Sequence, residues 1–380
     1  MAESPITLGI ANTSSLAWSA PQRFQDELAV ELSRDAEHHL YFVVVGPELT
    51  PTALNASSDP AVWNLDITYE TSAGQEARTV PVPEHAFPGE ILSFGETEGV
   101  LILTPADGAG HSRRVTVAEV VRASINARGD RTLTAPEVAF PGMELFFDVA
   151  AGTLTPAPAD GGQSRKVTAA KVGKTSNTRE QEQADWVNAA VEEFFTFDVV
   201  YIGQSYGQDG KRKAIDRLTG GHKTVERILS EMQDFSPNRS VGFITIDQQM
   251  ESVHACIRTG HDGADLLSVR KLLAEQFTEI SNSPLSKTTV DAAEAALIAA
   301  FQPKWNVKLK DFPQTGAPAL LKKLKEQGYT HLYVHIDLKD ALAKVRVHGK
   351  PSSQFSWRFD LDNREIEDQD NMPWHRFNLY

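Results

Sequence analysis

Glu294 is the side chain in this sequence that most needs a chemical explanation. Val290, Leu297, Ile298 and Phe301 recur around it at helical spacing, and Glu294 falls four residues after Val290 on the same stripe. A carboxylate on an apolar helix face is costly unless a cation pairs with it or a metal binds it. Two readings follow: an ion pair, with Arg217 as the partner, or a metal ligand. One or two carboxylates completed by substrate phosphate oxygens would suit a hard cation, Mg²⁺ or Mn²⁺. Four other groups carry usable chemistry. They are the phenol of Tyr201, the guanidinium of Arg217, the imidazole of His222 and the carboxamide of Asn306. Taken singly, each has a plainer reading, since Tyr201 could be a strand residue with an exposed hydroxyl and His222, after Gly220-Gly221, a turn residue. Together they could position a water, stabilise a developing anion and hold a cation.

Such residues must be brought together by the elements that carry them. The apolar run 199–202 reads as a strand ending in a glycine, and 186–195 as an amphipathic helix before it. Val225, Ile228, Leu229 and Met232 predict a helix over 224–232, and 241–246 a second strand. Helices are expected over 266–280 and 290–301. The chain then alternates again, with a helix at 320–327, strands at 332–336 and 344–348, and Phe355, Trp357, Phe359 and Leu361 at period two in a half-buried strand. Nearer the start, 21–33 looks helical and 40–45 looks like a buried strand.

The first half also contains an internal repeat. Residues 78–124 and 131–176 share Phe-Pro-Gly turns (Phe87 to Gly89, Phe140 to Gly142) and Pro-Ala-Asp-Gly turns (Pro105 to Gly108, Pro158 to Gly161) between short β-rich segments. Two copies are too few for a solenoid and predict a tandem pair of small β modules in a sandwich or paired barrels. Neither copy holds a catalytic constellation, so recognition, assembly or spacing are the roles open to it. The polar stretch 173–183 marks a boundary. Four segments are therefore expected: an N-terminal α/β segment at 1–70, the repeat at 71–177, a central domain at 184–317 and a C-terminal α/β extension at 318–380.

Composition narrows the setting. A chain of 380 residues with 41% hydrophobic and 23% charged residues is ordinary for a soluble protein of two or three domains. No basic leader and no run long enough to span a bilayer is evident, so a soluble, cytoplasmic chain is expected. The single cysteine, Cys256, excludes an internal disulfide and a multi-cysteine zinc site. A net charge of -14 argues against a surface that grips a polyanion everywhere, so any nucleic-acid site must be local. Two basic clusters offer one: Lys211, Arg212, Lys213, Arg217, Lys223 and Arg227, then Lys304, Lys308, Lys310, Lys322, Lys323 and Lys325. Their plainer reading is a solvated helix face.

The segment VVYIGQSYGQDGKRKAIDRLTGGHKTVERIL, followed later by DAAEAALIAAFQPKWN, resembles the GIY-YIG nuclease superfamily. The matching residues are Tyr201-Ile202-Gly203 closing a strand, then Arg217, His222, Glu294 and Asn306, in that order. The resemblance covers the middle third of the chain. It implies an α+β architecture, with a mixed α/β nuclease core beside the β-rich repeat, and metal-dependent hydrolysis of phosphodiesters, of DNA rather than RNA. Tyr201 would then position or deprotonate the water with His222 assisting, Arg217 would stabilise the phosphorane, Glu294 would hold Mg²⁺ or Mn²⁺ on the leaving side, and Asn306 would fix local geometry. Lys211, Arg212, Lys213, Lys223, Lys304 and Lys308 would contact the nucleic acid. Restriction or anti-phage defence follows from the resemblance alone, as does a homo-oligomer or protein partner held through the repeat. One departure stands out: the family's first motif supplies another tyrosine on a preceding strand, yet no tyrosine lies between Tyr69 and Tyr201. Rearrangement of the module, substitution by Tyr206 or a degraded site would each account for it. The competing functions are an inactive nucleic-acid- or protein-binding module on the same fold, and a structural component of a larger assembly.

Overall fold

The computed structural model describes residues 6–18, 38–71, 74–95, 100–129, 143–148, 153–158, 186, 189–207, 211–219, 222–235, 239–255, 287–327, 329–338 and 341–368. The expected helices at 21–33 and 266–280, the 173–183 stretch and Cys256 lie outside them. Within them the chain is mixed α/β, with four sheets and few helices. No helix among the described residues is long and apolar enough to cross a membrane.

Strand β2 (Leu40–Pro47) lies inside a nine-stranded mixed sheet. It pairs antiparallel with β11 (Thr196–Gln204) on one side and β12 (Arg239–Ala255) on the other. Both faces of β2 are covered, which is why 40–45 reads as an unbroken apolar run rather than an alternating one. Alternation persists in what each side chain touches. Leu40, Phe42 and Val44 enter one core, while Tyr41, Val43 and Val45 enter a second core with Val225, Ile228 and Phe243. The sheet continues from β12 through β1 (Ile6–Trp18) to β13 (His331–Asp337), β16 (Gln354–Asp360) and β17 (Glu365–Asp368). At the other end, β14 (Lys344–Val347) and the short β15 (Lys350–Ser352) follow β11. On β16, Phe355, Trp357 and Phe359 are buried as their period predicts.

Helix α4 (Lys287–Phe301) and α5 (Pro318–Glu326) pack with the first core, and α2 (Ala214–Thr219) and α3 (Lys223–Phe235) contribute to the second. One sheet thus draws strands from three of the four expected segments. Hydrogen bonds cross the boundaries placed near 70, 184 and 317, because antiparallel pairing needs spatial and not sequential neighbours.

The chain leaves the large sheet after β2 and returns to it at β11. In between come a three-stranded sheet of β3 (Thr50–Ala56), β4 (Val62–Thr71) and β5 (Gly74–Pro83), and another of β6 (Glu90–Gly95), β7 (Val100–Pro105) and β8 (Arg113–Val115). Helix α1 (Val117–Gly129) follows, where only β structure was expected. Of the second copy, the described part is a hairpin of β9 (Met143–Asp148) and β10 (Thr153–Pro158), in which Met143 faces Pro158 as Glu90 faces Pro105 in the first. The first copy does not stand apart. Leu101, Leu103, Val120 and Val121 share one core with Leu40, Phe42, Leu297 and Phe359. Half-buried Arg122 of α1 donates to the Ala341 carbonyl and stacks 4.3 Å from the Phe195 ring centroid.

A shared core predicts shared unfolding. Leu103→Ala removes a fully buried side chain and should cost about 2–5 kcal/mol. The loss should appear as one shifted denaturation transition, coincident by tryptophan fluorescence and far-ultraviolet dichroism. Two separated transitions would show that the segment after β2 folds by itself.

Candidate active site

The candidate residues gather around the C-terminal half of β11. Asn306 fixes this end. Its Oδ1 accepts from the Ile202 N–H at 2.9 Å and its Nδ2 donates to the Ile202 carbonyl at 2.8 Å, while the Trp305 N–H donates to the Val200 carbonyl at 3.0 Å. Strand β14 pairs only with Thr196, Phe197 and Asp198, so Trp305 and Asn306 cover the edge that β14 leaves. Tyr201 lies between the two clamped residues.

Around Tyr201 stand a histidine, an arginine and a second tyrosine. The His222 ring centroid is 5.7 Å from that of Tyr201 and 6.4 Å from that of Tyr41. Arg217 donates through Nη1 to the Gln204 carbonyl and through Nη2 to His222 Nε2, both at 2.9 Å. A guanidinium only donates, so His222 Nε2 accepts; the Val225 N–H faces Nδ1 from 3.3 Å, and since a neutral ring accepts at one nitrogen, the shorter Arg217 contact takes that role. Burial and then the Arg217 charge push the His222 pKa down, in agreement. Among the described residues Arg217 forms no ion pair, so the alternative reading of Glu294 as its ion-pair partner is not realised: the guanidinium is turned toward Gln204 and His222.

Tyr41 on β2 is the residue that reading the sequence missed. It faces Gly203 across the β2–β11 pair, the Tyr41 and Tyr201 rings are 6.2 Å apart, and the buried Tyr41 hydroxyl has no hydrogen-bond partner among the described residues. The glycine is required by this packing. A Cβ on Gly203 would lie 2.5 Å from both Cζ and the hydroxyl oxygen of Tyr41, and 2.9 Å from Cε1 of Tyr201. Both phenols are pushed up from their ordinary value, chiefly by burial; Tyr201 raises Tyr41 further, Tyr41 lowers Tyr201, and Glu294 raises each. A tyrosine in the otherwise aliphatic and phenylalanine run 40–45 was the available signal. Tyr206 does not join this cluster, since its ring packs 4.9 Å from that of His39.

Glu294 approaches from α4. That helix is buried on nearly all sides by its alanines, and its polar strip is Lys287, Asp291 and Glu294. The single apolar face inferred around Glu294 is thus replaced by an almost wholly buried helix, because small alanines let the layers close around it. Asp291 pairs with Lys287 at 2.8 Å and accepts from Gln204 Nε2 at 2.8 Å. Burial raises the Glu294 pKa to about 7, while the neighbouring Gln204 side chain works to lower it. No group of three or more His, Cys, Asp or Glu side chains gathers among the described residues. A single half-buried carboxylate with a neighbouring amide fits a hard cation that takes its other oxygens from water and phosphate.

The basic residues fall into two sets. Lys211, Arg212, Lys223, Lys304 and Lys308 are exposed and Lys213 is half-buried. The Arg212 carbonyl lies 3.2 Å from His39 Nδ1, which ties the 211–213 loop to the start of β2. No protein family, curated protein or solved structure matches this chain.

Two outcomes test the geometry. Gly203→Ala should destabilise by about 1–3 kcal/mol, and Tyr41→Ala should relieve part of that penalty in the double variant; strictly additive losses in urea melts would mean the two positions do not touch. For Glu294 the sign follows from its raised pKa. The contribution is fully present below the unfolded-state value of about 4.5 and is lost as pH rises through about 7. Between pH 4.5 and pH 8 the wild type should therefore lose up to roughly 3 kcal/mol relative to Glu294→Gln. Parallel pH–stability curves for the two proteins would refute the shift.

Proposed function

We propose that the chain is a metal-dependent phosphodiesterase built on a GIY-YIG-like core, an endonuclease acting on DNA, with the repeat-bearing segment after β2 as an insertion into that core. The observation that carries the reading is Tyr41. It stands beside Tyr201 on the antiparallel neighbour of β11, so the strand before the insertion supplies the tyrosine that the central segment lacks. Tyr206 is then not needed as a substitute.

The roles follow from protonation. With both phenols held protonated by burial, Tyr201 and Tyr41 orient the attacking water through their hydroxyls. Among the described residues Arg217 contacts no carboxylate and donates to a carbonyl and an imidazole. An arriving phosphate offers it a stronger, charge-assisted acceptor than neutral His222. Moving Nη2 onto a phosphate oxygen would release the Nε2 lone pair of His222, which then accepts the proton of the water as its oxygen bonds to phosphorus and the ester oxygen departs. A divalent cation held by Glu294 would supply Lewis-acid stabilisation of that leaving oxygen. Asn306 holds Tyr201 in place and contacts no reacting atom.

Supercoiled plasmid should be nicked by the pure protein with Mg²⁺ or Mn²⁺ and left intact with chelator. Glu294→Gln should abolish nicking without loss of fold, and Tyr41→Phe should slow it by about 10²-fold or more. Cation-dependent nicking that survives in Glu294→Gln, or a wild type that never nicks, would end this reading.

A further inference from the structure

The two basic clusters, far apart in sequence, meet at one side chain. Arg227 stacks over the Trp305 ring at 4.5 Å and the Lys304 ammonium lies 5.4 Å from the same centroid. Lys223 precedes Arg227 by one turn on α3, so the two share a helix face. Beyond Trp305 the chain presents Val307, 88% exposed, and exposed Lys308. The ridge is anchored to the cleft, because Trp305 bonds to Val200 and Asn306 to Ile202, on either side of Tyr201. Its charge is little neutralised: the Arg227–Glu231 contact, at 4.0 Å, is at the outer limit of ion pairing and highly exposed.

We infer that the ridge of Lys223, Arg227, Trp305, Lys304 and Lys308 is a docking surface for the sugar-phosphate backbone of duplex DNA. The inference rests on the phosphodiesterase reading and names its substrate's form. Trp305 decides between duplex and single strand. A ring that stacks unpaired bases must offer a free face, whereas this one is half-buried and engaged by two cations. What it presents outward is a set of rigidly placed charges, which read phosphates and not base edges. In a chain of net charge -14, such a local cluster also orients the polyanion so that its backbone enters beside Tyr201.

The experiment measures binding of wild-type protein, in chelator, to a fluorescent duplex of mixed sequence and to its single strands across a salt series. The duplex should bind more tightly than either strand. Replacing Arg227 and Lys304 together by Ala should lower the slope of log affinity against log salt by about 2. Because those two cations also pack on Trp305, the pair Lys223→Ala and Lys308→Ala, both exposed, serves as a second variant expected to lower the slope equally with an unchanged melting temperature. An unaltered slope in both variants, tighter binding of single strands, or no salt-sensitive duplex binding by the wild type overturns the inference. Plasmid nicking separates it from the catalytic reading: nicking with an unaltered slope refutes the ridge alone, while a lowered slope without nicking refutes hydrolysis alone.

Discussion

The carboxamide of Asn306 is the contact on which the cleft depends. Both of its polar ends are satisfied by the backbone of one residue, Ile202. Without it, an N–H and a carbonyl at a buried strand edge would have no strand to pair with, a loss of about 1–3 kcal/mol for each unsatisfied group. The clamp does more than stabilise. It holds β11 just past the register shift against β2 between Val199 and Tyr201, where Ile202 enters the first core and Tyr201 is directed to the opposite face, toward Tyr41 and His222. A one-residue slip would exchange those faces and carry Tyr201 out of the cleft.

The second constraint is the long excursion between β2 and β11. Two neighbouring antiparallel strands are usually joined by a short turn, yet closure entropy grows only with the logarithm of loop length, so a large insertion is tolerated if it packs. Here it does. Leu65, Ile67, Leu101 and Val120 join the core of the main sheet, and Arg78 and Tyr69 both engage Glu193 just ahead of β11. The entry into the Tyr201 strand is thereby tied to the inserted sheets. Apposition of Tyr41 and Tyr201 is a property of the whole packed unit and not of a local hairpin.

This arrangement accounts for what was legible in the sequence and what was not. Strands 40–45, 199–202 and 332–336 and the helices carrying Val225 and Val290 were readable because burial imposes a period on residue type. Residues Tyr201, Arg217, His222, Glu294 and Asn306 were readable by chemical type and order. Tyr41 was not, since pairing across an insertion leaves no spacing to detect, and its strand looked like any buried strand. The choice between an Arg217 ion pair and a metal ligand at Glu294 could not be made from the sequence for a related reason: periodicity tells which face a carboxylate occupies but not which neighbour reaches a guanidinium first. Helix α1 was overlooked because the repeat's turn residues drew attention to β structure, while its apolar Val117, Val120, Val121 and Ile125 already stood at helical spacing.

The electrostatics of the cleft follow from the same packing. Asp291 is spent on Lys287 and Gln204, and Glu294, its pKa raised to about 7, is only partly charged near neutrality. Among the described residues Arg217 has no contacting carboxylate, and burial and the Arg217 charge push the His222 pKa down beside it. A phosphate would answer the guanidinium, and a divalent cation would displace the proton of Glu294, so each ligand removes a cost that burial imposes on the free protein. The acids elsewhere in this chain keep its overall charge negative, but among the described residues none of them closes on Arg217, and that local omission is what an anionic substrate can use.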